Sequence, residues 1–131
     1  MLEPARNRHA AFYADQPLRS FPREPVHPWL RETLELHNNP VAIRRYAAEI
    51  AAVDDGVGEI MAALRSEGLD HDTVVIFTGD QGLAGGQSGL WGMGDHTRPL
   101  TAFDCQISVP LIYRHPARIP AGRRSGIMVS H

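Results

Sequence analysis

With 131 residues, the chain is long enough for one compact domain of ordinary size. Its 43% hydrophobic and 21% charged residues are ordinary for a globular protein, and a formal net charge of -2 gives no electrostatic case for a nucleic-acid partner or an anionic membrane surface. No run of about 18 apolar residues exists, so no membrane-spanning helix is expected; Met1 to Tyr13 lack the apolar core of a signal peptide; and Cys105, the only cysteine, excludes an internal disulfide or a cysteine zinc cage while leaving the compartment open.

Residues 1–39 form a polar, irregular lead-in. Prolines at positions 4, 17, 22, 25 and 28 prevent long helices and central strands. A short helix is expected between His27 and Leu36, with Trp29, Leu30, Leu34 and Leu36 available for burial. The strongest helix signal begins at Pro40, a residue suited to the first helical position, after Asn39, a good cap. Ile43, Tyr46, Ile50, Val53, Val57, Ile60 and Leu64 then recur at steps of three and four, a single stripe along about seven turns. Gly56 and Gly58 each weaken that helix by roughly 1 kcal/mol relative to alanine, and they suit close packing on a sheet. Gly68 is the expected stop.

Thr73 to Thr78 is an unbroken β-branched and aromatic run, the pattern of a strand buried on both faces in a parallel sheet. A glycine-rich loop follows from Gly82 to Gly94, then a short helix around Leu100 to Gln106. A second strand is expected over Val109 to Tyr113, with Pro110 marking an edge or entry position. His115 to Gly122 reads as a turn, and Ile127-Met128-Val129 as the start of a third strand. Helix, strand, loop and strand together indicate an α/β sheet.

Three groups of residues can carry chemistry. Asp80 and Gln81 stand directly after the first strand, where ligand sites of open α/β sheets gather. A carboxylate beside a carboxamide offers two hard oxygens of the kind calcium and magnesium take, but a calcium shell needs about six to eight. The same pair also serves as an ordinary polar turn. The loop GLAGGQSGLWGMG brings backbone amides close enough to cradle an anion, yet it has no GK[ST] and is equally a flexible loop, with Trp91 as a packing anchor. After it, Asp95, His96 and Arg98 form a polar cluster. There His96 could protonate a leaving group or meet an anionic oxygen, and Arg98 could grip a sulfate or carboxylate; a solvated loop is the other reading. His9, His27, His37, His71, His115 and His131 lie in unpatterned surroundings and are expected at the surface.

Taken together, four ordered blocks from Tyr46 to His131 resemble the sulfatase family of the alkaline phosphatase superfamily. YAAEIAAVDDGVGEIMAALRSEGLDHDT is similar to the family's long helix, TVVIFTGDQG to its strand and metal-ligand turn, SGLWGMGDHTRP to its HGLWGKG loop, and VPLIYRHPARIPAG to its VPLIVRWPGKIPAG. The resemblance implies an α/β fold, a partial alkaline-phosphatase-like sandwich with a central, mostly parallel sheet and flanking helices; residues 40–131 would form part of a sulfatase catalytic domain after the 1–39 lead-in. It implies hydrolysis of sulfate esters, borne by a small molecule or a glycan, with a calcium ion (or magnesium) and a formylglycine nucleophile. Asp80 falls on a family metal ligand and Gln81 on the next, usually asparagine or histidine. His96 and Arg98 become candidates for substrate binding, and His96 for catalysis.

The departures are specific. The nucleophile motif C/S-x-P/A-x-R is absent; Cys105 is followed by Gln106, Ile107, Ser108 and Val109 and does not fit it. The family's two further acidic ligands are absent as well. Met93 stands where many relatives have a sulfate-contacting lysine, and Ser88 where a histidine often precedes Gly-Leu-Trp. The chain is therefore expected to be a fragment carrying half of a metal site, inactive alone and prone to self-association through uncovered surface. Phosphodiester or phosphonate hydrolysis on the same scaffold, and a non-catalytic remnant, are the alternatives.

Overall fold

The computed structural model describes residues 6–127 and Val129. Its elements are α1 (Ala10–Tyr13), α2 (Pro40–Ser66), β1 (Val75–Thr78), β2 (Ala84–Gly85), β3 (Trp91–Gly92), α3 (Asp104–Ile107) and β4 (Leu111–Arg114), with single 3-10 turns at Gln87–Gly89 and Gly94–His96. Among the described residues, no helix is long and apolar enough to cross a membrane.

Helix α2 starts and stops as its sequence dictates. The Asn39 side chain accepts from the Val41 amide at 2.9 Å, and Pro40 occupies the first turn. At the far end Gly68 adopts a φ of +70°. Its N–H donates to Arg65 O at 3.2 Å and that of Leu69 to Leu64 O at 2.9 Å, the paired bonds of a Schellman stop. Replacing Asn39 with alanine should cost about 1 kcal/mol; urea denaturation measures it, and an unchanged midpoint would mean the cap is not needed.

The sheet differs from the expected one. Strands β1 and β4 pair antiparallel, Val75 opposite Arg114 and Thr78 opposite Leu111. Strands β2 and β3 form a second two-stranded antiparallel sheet. A mostly parallel central sheet is therefore not formed among the described residues. Nor is β1 buried on both faces. The register puts Val75, Phe77, Ile112 and Arg114 on one face, toward α2, where with Ile50, Val53, Asp54 and Val57 they line a cavity of about 290 Å³. Ile76, Thr78, Leu111 and Tyr113 share the other face, which is open; Ile76 is 54% exposed. The β-branched run specified a strand correctly, but an unbroken apolar run carries no period and cannot say which face is covered. The stripe of α2 is likewise fully buried only at its start, with Tyr46, Val57 and Leu64 half-buried further on. Ile43 is buried, while Ile50, Val53 and Ile60 are exposed. Gly56 and Gly58 meet no atom within 4 Å of a built Cβ, so they provide no close packing on a sheet.

The core lies elsewhere, under the glycine-rich loop. Leu30, Ala84 and Leu90 form one buried cluster, with Phe103 and Cys105 against it. Ala42, Ile43 and Trp91 form another, with Leu18, Phe21 and Leu36 around it. Residues 27–36 contribute to both, yet as turns and one bridge, Leu30 to Thr97, rather than the expected helix. Backbone pairing to the loop displaces helical hydrogen bonding there: Arg31 and Glu32 amides donate to His96 O at 3.0 and 3.3 Å, and the Arg98 amide to Trp29 O at 2.8 Å. The expected helix around 100–106 is the shorter α3, and the expected second strand begins after Pro110. His115 opens a turn, accepting from the Arg118 and Ile119 amides. Met128, at the centre of the expected third strand, lies outside the described residues, as does His131.

At the other end, residues 7–13 are strapped to the middle of α2. The Asn7 side chain donates to Ala48 O at 3.0 Å, the Arg8 Nε to Asp55 Oδ2 at 2.8 Å, and the His9 Nε2 lies 2.5 Å from the same oxygen. Arg8, and then His9, hold the Asp55 carboxyl well below its ordinary value, at about 2. A depressed carboxyl stabilises the fold above its unfolded value near 4, and the benefit is lost as pH falls through the folded value. Melting curves should therefore show a difference between wild type and Asp55→Asn that is full above pH 4 and gone near pH 2. A difference independent of pH would mean the carboxylate is not what holds the strap.

Candidate functional site

The end of β1 delivers the chain through Gly79 to Asp80 and Gln81, both exposed at the strand's carboxyl end. Gly82 then passes close beneath α3. Its N–H donates to Gln106 O at 3.0 Å, and a Cβ there would stand 2.5 Å from Cys105 O and 2.8 Å from Gln106 C, so only glycine fits. From this turn Gln81 reaches Met93, its Nε2 in contact with the thioether. The Met93 amide in turn donates to His96 Nδ1 at 3.2 Å. Gln81, Met93 and His96 are therefore brought together, although twelve positions separate Gln81 from Met93 in sequence.

The acceptor role of Nδ1 fixes the neutral tautomer of His96 with its proton on Nε2. That nitrogen stands 3.9 Å from Asp95 Oδ1, beyond hydrogen-bond range, and the ring is about one quarter exposed. His96 thus presents an N–H at the surface of the site. Arg98 is differently employed. Its NH1 donates to the carbonyls of Asp95 at 2.5 Å and Thr97 at 2.7 Å, and its NH2 to Glu32 at 2.7 Å. Its charge is paired with the lead-in, so gripping an anion would require exchange of that partner.

The glycine-rich loop does not stand open to an anion. The lead-in lies on it: the His27 amide donates to Gly89 O at 2.8 Å, Thr33 Oγ1 to Trp91 O at 2.5 Å, and Phe21 stacks on Trp91 with centroids 6.3 Å apart. Gly85, Gly86 and Gly89 have no room for a Cβ because Phe21, Pro22 and Pro25 are there. These glycines serve backbone approach within the protein. Trp91 is buried, as a packing anchor would be.

Calcium or magnesium does not fit the described residues alone. Asp80 and Gln81 offer two side-chain donors against the six or so these cations require. Among the described residues, no group of three or more His, Cys, Asp or Glu side chains could hold a metal ion. Burial chiefly, then the charges of Asp104 and Glu24, raise the Cys105 thiol above its ordinary value, which disfavours the thiolate. Of the histidines expected at the surface, His115 is 5% exposed with Nδ1 unpartnered. His37 is half-buried, its Nε2 enclosed, and its pKa is lowered by that burial.

Sequence reasoning missed a buried polar seam beside the site, formed by Thr97, Thr101 and Gln106. Thr101 Oγ1 donates to Gln106 Oε1 at 2.8 Å, and the Phe103 amide donates to the same oxygen at 3.1 Å. Thr97 Oγ1 lies 3.0 Å from that of Thr101 and donates to Gly94 O at 2.8 Å. No spacing signals such a seam, since threonine and glutamine are common in loops.

The family model for sulfatases matches residues 6–131, nearly the whole chain. The chain belongs to the sulfatase family. It is similar to the N-acetylglucosamine-6-O-sulfatase of Bacteroides thetaiotaomicron, with 32% identity over 83 residues, 63% of this chain and 14% of that protein. The endo-4-O-sulfatase of the same bacterium is 38% identical over 71 residues, 53% of the chain and 13% of the relative. Human iduronate 2-sulfatase is 34% identical over 73 residues, 56% of the chain and 12% of the relative. The chain thus spans about one seventh of the length of the sulfatase relatives it matches. No solved structure matches it significantly. The family implies an α/β fold of the alkaline phosphatase type, of which the described helices and small antiparallel sheets are a part.

Proposed function

We propose that this sulfatase-family chain supplies half of a divalent-cation site, Asp80 and Gln81, to the hydrolysis of sulfate esters. Calcium is the expected cation, with magnesium as the other hard-oxygen candidate. The observation that carries the reading is the contact of Gln81 with Met93, whose amide bonds His96. It sets an oxygen-donor turn and a proton-bearing imidazole side by side. His96, with Nε2–H free of a close carboxylate, is suited to donate a hydrogen bond to the ester oxygen as charge builds on the leaving group. The remaining oxygen donors and the nucleophile must come from residues other than these 131, which contain no C/S-x-P/A-x-R. We expect the chain to be inactive by itself. The relatives named for N-acetylglucosamine and iduronate sulfatases favour a sulfated sugar as the substrate class.

Two measurements test this. Calorimetric titration with calcium of an enzyme that includes the remaining donors should give binding at or below about 1 mM, the weak end of extracellular calcium modules. In an enzyme that includes the nucleophile, aryl sulfates should turn over faster than aryl phosphates. The reverse order would assign the scaffold to phosphodiester or phosphonate hydrolysis, and neither calcium binding nor turnover would leave a non-catalytic remnant.

A further inference from the structure

The geometry points to Gln106 as a positioning residue that clamps the Asp80-Gln81-Gly82 turn to the turn carrying His96. This rests on the reading of Asp80, Gln81 and His96 as one site. At the surface the two turns meet through the Gln81–Met93 contact, a long flexible side chain against another. Such a contact cannot fix the separation of two loops. Beneath it lies a connection through the buried Gln106 and the half-buried Thr101. The Gln106 carbonyl accepts from Gly82, one residue beyond Gln81. The same residue's Oε1 accepts from Thr101 Oγ1 and from the Phe103 amide. Thr101 donates its own amide to Gly94 O at 3.1 Å, and Gly94 opens the 3-10 turn that ends in His96.

Each link is confined. Gln106 is 5% exposed and Thr97 is fully buried. Gly82 fits against Cys105 and Gln106, and Gly94 against Thr101 O, only without a Cβ. A glutamine used merely to fill space would be replaced at little cost by an apolar residue of its volume. Here the acceptor oxygen takes two part-buried donors, the Thr101 hydroxyl and the Phe103 amide, which an apolar residue would deprive of this partner. The Gln106 Nε2 is enclosed with no partner among the described residues, so it is the oxygen, not the whole amide, that the site uses.

The test compares Gln106→Met, which keeps the volume and loses the acceptor, with Thr101→Val, which loses the matching donor, and Thr101→Ser, which keeps it. Hydrogen exchange of the Gly82 amide should accelerate at least about tenfold in the first two and stay within twofold of wild type in the third. The amides of α2 should be unchanged, which separates loss of the clamp from general destabilisation. In an enzyme that includes the nucleophile, sulfate-ester turnover should fall about tenfold in Gln106→Met and stay near wild type in Thr101→Ser, in the range expected when support of a ligand is lost. Unchanged Gly82 exchange in Gln106→Met, or acceleration spread equally over α2, would overturn the clamp. If Asp80→Ala in that enzyme turns over as wild type does, the donor assignment fails instead, whatever Gln106 does. Should Gln106→Met not fold, Thr101→Val against Thr101→Ser decides the same point.

Discussion

Gly89→Ala should destabilise the protein by roughly 3 kcal/mol or more, as measured by urea denaturation. Two costs combine. Gly89 has a φ of +68°, a left-handed conformation that carries about 1 kcal/mol or more of strain for a residue with a Cβ. The added methyl also has nowhere to go. It would fall inside the van der Waals shell of the Pro25 carbonyl oxygen and stand 2.7 Å from the His27 nitrogen. That nitrogen donates to Gly89 O at 2.8 Å, so relief by movement would break the bond. Overpacking of this kind costs about 1–3 kcal/mol, and an orphaned buried donor a similar amount. Gly56→Ala is the matched control. Its Cβ meets nothing within 4 Å, and the position is interior to α2. It should gain about 0.5–1 kcal/mol through helix propensity. If both alanines behaved alike, the lead-in would not lie against the loop as described.

Asp80→Ala should lower sulfate-ester turnover at least about a hundredfold in an enzyme that contains the nucleophile, and should weaken calcium binding in parallel. Asp80 is exposed at the end of β1, outside both buried clusters. Circular dichroism should therefore show the fold retained. The dissociation of activity from stability is what makes the variant informative, because a residue needed for packing would lose both. Wild-type turnover in Asp80→Ala would remove this carboxylate from the reaction.

The parts of the fold legible in the sequence were those with local physical causes. Asn39, Pro40 and Gly68 bound α2 because a cap, a fixed φ and a left-handed residue act within one turn of chain. Strand β1 announced itself through its β-branched residues. What covers it did not, since Ile76 and Phe77 look alike in sequence and face opposite sides. The lead-in misled for a related reason. Leu30 and Leu34 suggest a helical face, yet Leu30 is buried and Leu34 exposed because residues 29–32 bond to 96–98 instead. Such long-range pairing overrides local preference and leaves no periodic trace. At the site, Asp80, Gln81 and His96 could be proposed from type and position. Met93, which stood out only as a departure from a lysine, proved to be the residue that touches Gln81 and bonds His96.

Because residues 18–33 lie over the glycine-rich loop, they are not a detachable leader. A shortened gene beginning at Pro40 would keep the long helix and both strands of the larger sheet, yet would strip the cover from Ala84, Leu90 and Trp91. Anyone engineering this protein for production should expect such a product to precipitate or to be nicked by proteases within the glycines, whereas trimming that stops short of Leu18 leaves the cover in place.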